Sequence, residues 1–217
     1  MRKEPFNIFW PWVLVRMKLW ASLKTCVFVL TSPVWIAFAG QALIPPEKPG
    51  QVLQSPPNML YFNHSGLLIP SSIILSNLNE LQSEFVTNIP AKERMTHFNA
   101  YLKYSDTLKK LCSNKDFVQW IDGSFVTKEQ RPGDIDLVTF IDFQIIASLG
   151  NVLQSYTYPE SETLFQVDAY IVAVYPVDHK KYYLYQHDKA YWIDQFDKTR
   201  RNKAGNKLSK GFLEIVY

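Results

Sequence analysis

The sequence predicts an α+β (α/β) domain in which a small mixed sheet is flanked by helices, preceded by an apolar N-terminal extension. Three observations predict it. Short segments rich in aromatic and β-branched residues alternate with segments whose apolar residues recur at helical spacing. Hydrophobic residues make up 47% and aromatic residues 15% of the 217, enough to fill one core. The composition also breaks near Pro57, which separates residues 1–58, the extension, from residues 59–217, the domain.

Within the extension, residues 25–43 (TCVFVLTSPVWIAFAGQAL) hold no charge and follow a basic, aromatic stretch. They lead into IPPEKPGQVLQSPPN, whose five prolines read as a linker. Three readings stay open: a membrane anchor interrupted by Pro33 and Gly40, a secretory signal with an overlong basic flank, and a start set upstream of the working one, which would be Met59. Membrane contact follows only if residues 8–43 are translated and inserted. Five basic residues precede the apolar stretch and one follows it, so an inserted anchor would place residues 59–217 away from the cytoplasm and its nucleotides. The expectation adopted is a cytoplasmic domain, with anchoring through residues 25–43 as the alternative.

Charge and cysteine usage exclude other classes. The extension carries +4 and the domain about −1, so no global basic field points to nucleic acid. Cys26 and Cys112 lie in different segments, with no CxxC and no histidine at metal spacing, which argues against a disulfide or a zinc site.

From Met59 the elements follow in order. Residues 69–85 place Ile74, Leu75, Leu78, Leu81 and Phe85 at helical spacing behind Ser71 and Ser72 as N-caps. A second helix over residues 91–112 follows Pro90, with Met95, Phe98, Leu102, Leu108 and Leu111 on one face and Ser113-Asn114 at its end. FVQWID (117–122), DLVTFI (136–141) and LFQVDAYIVAV (164–174) read as strands. Between the last two, residues 143–156 read as a short helix, and residues 182–200 form a longer one. Lys210-Gly211 before FLEIVY reads as a loop returning into a final strand.

The chemistry concentrates in residues 121–143, IDGSFVTKEQRPGDIDLVTFIDF. Asp134 and Asp136, at i and i+2 on a strand, share a face about 6–7 Å apart and converge on one or two hard cations. Such oxygen ligands suit Mg²⁺, whose other positions fill with water and substrate phosphates. The Gly123-Ser124 turn ends the preceding strand, and glycine there lets backbone N–H groups approach a phosphate. Asp168 stands in an otherwise apolar strand, where an unpaired buried charge costs several kcal/mol. A metal shared with Asp134 and Asp136 is the economical partner, and two Mg²⁺ ions on three acidic ligands would activate an attacking oxygen and stabilise leaving pyrophosphate.

DGSFVTKEQRPGDIDLV followed by VDAY resembles the DNA polymerase beta-like nucleotidyltransferase superfamily, whose signature is a Gly-Ser turn, a spacer near ten residues, an Asp-x-Asp pair and a later Asp on a neighbouring strand. Within it the chain is most similar to a group of uncharacterised bacterial nucleotidyltransferase-like proteins, the likeness extending to FNHSGLLIP (62–70) and to residues 192–215. The resemblance implies metal binding and catalysis at Asp134, Asp136 and Asp168, triphosphate contact at Gly123 and Ser124, and kinship with minimal nucleotidyltransferases that serve as antitoxins. Lys128, in the polar loop, and Arg200 and Arg201, in a basic run over 198–210 without an acidic residue, join the nucleotide-binding set. In that run Lys203, Lys207 and Lys210 are further candidates for contacting triphosphate or RNA phosphates.

Other features read as structural. Asp122 orders the turn; His64, His97, His179 and His187 are scattered without ligand spacing; Tyr182, Tyr183, Tyr185, Tyr191 and Trp192 pack the last helix. The expected function is Mg²⁺-dependent transfer of a nucleoside monophosphate from a triphosphate such as ATP to a hydroxyl of a protein, RNA or small molecule, in a toxin–antitoxin or defence setting. The alternatives are a non-catalytic nucleotide- or partner-binding module on the same fold and a membrane-tethered interaction protein. A domain this small leaves little room for an acceptor-binding domain, so a protein partner is expected to present the acceptor.

Overall fold

A computed structural model describes residues 60–202 and 204–217. The extension, its possible anchor at 25–43, the linker, Met59 and Lys203 lie outside the described residues. Among the described residues no helix is long and apolar enough to cross a membrane.

The fold is α+β, as the pattern predicts. A two-residue hairpin, β1 (Tyr61–Phe62) and β2 (Leu68–Ile69), precedes β3 (Ile73–Leu75). Then come α1 (Leu78–Gln82), running into a π-helical turn over Ser83–Thr87, α2 (Lys92–Leu111) and β4 (Val118–Asp122). They are followed by β5 (Asp136–Asp142), α3 (Phe143–Leu149) with a 3₁₀ continuation over Gly150–Tyr156, and α4 (Glu160–Phe165). The chain ends with β6 (Asp168–Val174), α5 (Tyr182–Phe196) and β7 (Phe212–Val216). A five-stranded mixed sheet has the order β3-β7-β4-β5-β6, parallel at both edges and antiparallel through its middle.

Three element boundaries differ from the sequence pattern. Residues 69–85 are not one helix: Ile73–Leu75 pair in parallel with Phe212–Glu214, and the helix begins only after Asn77, whose side chain accepts from the Glu80 N–H. The apolar spacing fits both structures there, and the sheet partner decides. Residues 164–165 end helix α4, Gln166 adopts a left-handed conformation at φ 62°, and β6 starts at Asp168. The last helix stops at Phe196, four residues short of the predicted end, because Lys198 begins bridging to Ser209.

Strand alternation divides the core. Ile121, Leu137, Ile141 and Ala169 face α2, whose Phe98, Tyr101, Tyr104 and Leu108 are buried against them. Trp120, Val138, Phe140 and Val172 face α5, which covers them with Phe196, Trp192 and Ile193. On the α2 side Gln119 and Thr139, partners across β4 and β5, bond to each other at 3.1 Å, and Tyr101 and Ser105 donate to the Gln119 carbonyl at 3.0 and 3.1 Å, so this buried polar group is satisfied.

The fully buried Arg94 of α2 organises the segment that leads to the site. Its guanidinium donates to the carbonyls of Phe85 (3.1 Å), Phe125 (2.8 Å), Thr127 (2.7 Å) and Glu129, tying the end of the α1 region to the loop between β4 and β5. Replacing it strands several carbonyls at once. Arg94→Met is therefore expected to lower unfolding stability by about 3 kcal/mol or more and to expose the 124–134 loop to protease first. A loss below about 1 kcal/mol in denaturant titration would show that the loop does not depend on this residue.

Candidate functional site

Sheet register builds the site. Antiparallel pairing sets Asp122 opposite Asp136, and parallel pairing sets Asp136 beside Asp168. Cross-strand partners point to the same face, with strands about 4.8 Å apart, so three carboxylates stand in a row at one end of the sheet on its α5 side. Asp134 sits two residues before Asp136, ahead of the strand itself, which begins at Asp136. The predicted i, i+2 strand pair is thus corrected: Asp134 belongs to the loop, and its side chain is held by other groups.

Those groups come from the Gly123-Ser124 turn. The Ser124 N–H and Oγ–H both donate to Asp134 Oδ1, at 2.8 and 2.7 Å, while Ser124 Oγ accepts from the Gly133 and Asp134 N–H groups at 2.9 and 3.2 Å. One serine therefore closes the 124–134 loop into a clasp. Gly123 permits it: at φ +86° a Cβ would also stand 3.0 Å from both the Asp134 carbonyl and the Asp136 nitrogen.

The chain neutralises this row unevenly. Lys210 makes a buried ion pair with Asp122 at the mouth of β7, and Arg200 Nη2 lies 3.1 Å from Asp134 Oδ2. Lys210 reaches that position because Gly211, whose Cβ would sit 2.4 Å from the Pro70 carbonyl, lets the chain press against the β2–β3 segment. Among the described residues no salt bridge reaches Asp136 or Asp168, and Asp168 Oδ1 is buried with no hydrogen-bond partner. Burial, followed by the charges of Asp134, Asp122 and Asp168, pushes the Asp136 carboxyl up to about 7. Burial outweighs Lys210 and lifts Asp122 to about 6. Burial also raises Asp168, although the Tyr170 hydroxyl beside it pulls the other way. At Asp134 burial is overcome by Ser124 and Arg200, which hold its carboxyl below the usual range.

An open cleft of about 1140 Å³ lies over the row. Its walls are the β1–β2 loop at Asn63–Leu67, the Thr127–Glu129 segment, the β6–α5 side with Tyr170, Tyr191 and Trp192, and the basic loop with Lys198, Arg200 and Lys207. Gly123, Ser124, Lys128, Asp134, Asp136, Asp168 and Arg200 all line it, so the structure brings these predicted residues together. Lys128 does so with its ammonium 4.0 Å from the Phe62 ring centre and 3.4 Å from Glu84. Arg201 is not among the lining residues; its guanidinium donates to the Gly205 carbonyl at 2.9 Å and shapes its own loop. Lys210, expected to be open to phosphate, is instead committed to Asp122. The Asp122–Lys210 pair and the β1–β2 loop were not assigned to the site by spacing, because only strand register and the return of β7 bring them there.

Among the described residues no three acidic, histidine or cysteine groups stand close enough together to hold a metal ion as they are. The donor chemistry nevertheless fits a hard cation: among the described residues Asp136 and Asp168 enter no salt bridge and feel only the more distant charge of Arg200, and one buried oxygen of Asp168 has no hydrogen-bond partner, while Asp134 is held by Ser124 and Arg200. Residues 60–216 match a family of unknown function, DUF6932, and the chain belongs to it. No curated protein and no solved structure matches the chain.

The crowded acids carry a pH signature. An aspartate whose folded pKa is raised binds its proton more tightly in the folded chain than in the unfolded one. Its contribution is full below the ordinary value near 3.9 and is lost as pH rises through about 7 for Asp136. In chelator, the melting temperature of the wild type should fall across this window more steeply than that of Asp136→Asn, and the variant should be at least as stable at pH 8. Parallel profiles would show that Asp136 is not strained by its neighbours.

Proposed function

We propose that the domain is a Mg²⁺-dependent nucleotidyltransferase that moves a nucleoside monophosphate from a nucleoside triphosphate to a hydroxyl of a protein, RNA or small molecule. The observation that carries this reading is the placement of Asp136 and Asp168, in register on adjacent strands and, among the described residues, without a salt bridge, beside the Gly123-Ser124 clasp in a cleft large enough for a nucleotide and more. Asp134, Asp136 and Asp168 would hold the metal, which supplies charge neutralisation and Lewis-acid polarisation of the phosphates when bound.

The chain's own residues divide the remaining work. Ser124 and Arg200 both hold Asp134 in the free protein. The serine N–H and hydroxyl and the guanidinium are the donors nearest this carboxylate and would serve the triphosphate if a cation took their place on Asp134. Lys128 lies on the same wall. The acceptor oxygen attacks the α-phosphorus, its proton passes to solvent in the open cleft, and the bond to the β-phosphate breaks with pyrophosphate leaving. Asp122, already paired with Lys210, orders the turn rather than reacting.

A second reading, a non-catalytic nucleotide- or partner-binding module, is favoured by the same engagement of Asp134, since a resting ion pair there costs a catalyst some affinity for metal. The two readings separate on turnover. Incubated in cell extract with each labelled nucleoside triphosphate and Mg²⁺, the full chain is expected to label a macromolecule, protein or RNA, with one of them. Chelator, or Asp136→Asn, should lower the labelling about a hundredfold or more. Thermal stabilisation by triphosphate without labelling of any component would leave the binding-module reading in its place.

A further inference from the structure

The two edges of the sheet are unequal. β3 is three residues long, whereas β6, at the opposite edge, runs for seven and pairs with β5 in unbroken parallel register from Asp168 to Val174. Along such a strand successive residues turn their N–H and C=O groups to alternate sides. Ala169 fixes which residues turn outward: its carbonyl accepts from the Tyr158 N–H at 2.8 Å and its N–H donates to Ser161 Oγ at 3.3 Å, both away from β5. Ile171 and Ala173 turn the same way, neither is fully buried, and among the described residues nothing bonds their N–H or C=O groups on that side.

An open edge is a template for another strand unless a charge, a proline or a bulge blocks it. Residues 169–174, AYIVAV, hold no charge and no proline, and the continuous register with β5 leaves no room for a bulge. The two ends of this neutral edge differ in sign. Beside its start stand Glu160 and Glu162 of α4, together with Asp168, which feels the Glu162 charge. Past its end the turn into α5 carries Lys180 and Lys181, with Asp178 and His179 before them. Glu160, Glu162, Lys180 and Lys181 are all exposed, and among the described residues none of the four enters a salt bridge.

We propose that β6 pairs with β6 of a second copy of this chain, antiparallel about a two-fold axis at Ala173, so that two five-stranded sheets become one. The inference stands apart from the nucleotidyltransferase reading and does not need it. On the axis Ala173 meets its own counterpart and exchanges both hydrogen bonds with it, and its small side chain lets the two backbones close. Val172 of each copy then lies across from Val174 of the other, an apolar cross-strand pair formed twice. Ala169 is far enough from the axis for the segment at Tyr158–Ser161 to keep its bonds. Antiparallel pairing also sets the acidic start of each edge against the basic end of the other. A parallel partner would set acid beside acid, and a strand of unrelated sequence would carry no such match.

The test follows the full chain by sedimentation velocity and by amide hydrogen exchange over about a hundredfold range of concentration. A monomer–dimer equilibrium is expected, with the Ile171 and Ala173 amides exchanging about tenfold or more slowly as dimer forms. Ala173→Pro removes the outward N–H at the axis while the inward bonds of Val172 and Val174 to β5 remain, and should leave a folded monomer. Should that variant fail to fold, charge reversal decides: Lys180→Glu with Lys181→Glu should weaken association about tenfold or more, and adding Glu160→Lys and Glu162→Lys to the same chain should restore it. A chain that is monomeric throughout the range overturns the proposal. So does a dimer that survives Ala173→Pro, one that ignores the charge reversals or is not restored by the second pair, and one that leaves the Ile171 and Ala173 amides unprotected. Protection of these amides already complete in the monomer also overturns it, by giving the edge to another segment of the chain.

Discussion

The structure turns on the repulsion between carboxylates that the sheet will not let separate. Asp122, Asp136 and Asp168 are fixed by the same register that buries Trp120, Val138, Phe140 and Val172 under α5. A one-residue slip would carry the acids to the other face, but it would carry the apolar residues with them. The charge must therefore be met where it stands. Lys210 meets it at Asp122 and Arg200 at Asp134, while among the described residues no salt bridge reaches Asp136 or Asp168 and one buried oxygen of Asp168 has no hydrogen-bond partner. A hydrophobic core thus holds like charges together, and that crowding is the basis of the functional proposal.

Much of the remaining architecture serves to hold the loop that delivers Asp134. Arg94 anchors its first half from within α2, through carbonyls that no apolar residue could satisfy. Ser124 closes its second half, and His97, on the same helix, lies 3.1 Å from the Pro132 carbonyl through its ring nitrogen. The loop is held at several points, yet the groups that touch the carboxylate itself are a serine and a highly exposed arginine.

The fold class, the last strand and the α2 helix were legible in the sequence because period and β-branched content agree there. The stretch from Ile73 to Leu75 was not, since Ile74, Leu75, Leu78, Leu81 and Phe85 satisfy a helical pattern equally well and only β7, nearly 140 residues later, makes a strand of it. At the site, Asp134, Asp136, Asp168, Gly123, Ser124 and Arg200 were readable from residue type and spacing and do come together. Asp122 was read as ordering the turn, but Lys210 was read as open to phosphate, because their pairing spans 88 positions and local spacing does not register it. Tyr191 and Trp192 pack at the cleft side of α5, which the periodicity of that helix alone does not reveal.

The proposal that Asp134, Asp136 and Asp168 form one cation site is tested most directly by paramagnetic broadening of backbone amide signals in the full chain on addition of Mn²⁺, used as the spectroscopic replacement for Mg²⁺ together with a non-hydrolysable triphosphate. The account predicts that broadening begins, at the lowest metal concentrations, at Asp122–Ser124, Asp134–Leu137 and Asp168–Tyr170, and that it is lost from all three segments together in Asp136→Asn. Broadening that appears first around scattered surface acids such as Asp116, Glu160 or Asp178, with these segments unaffected, would contradict it.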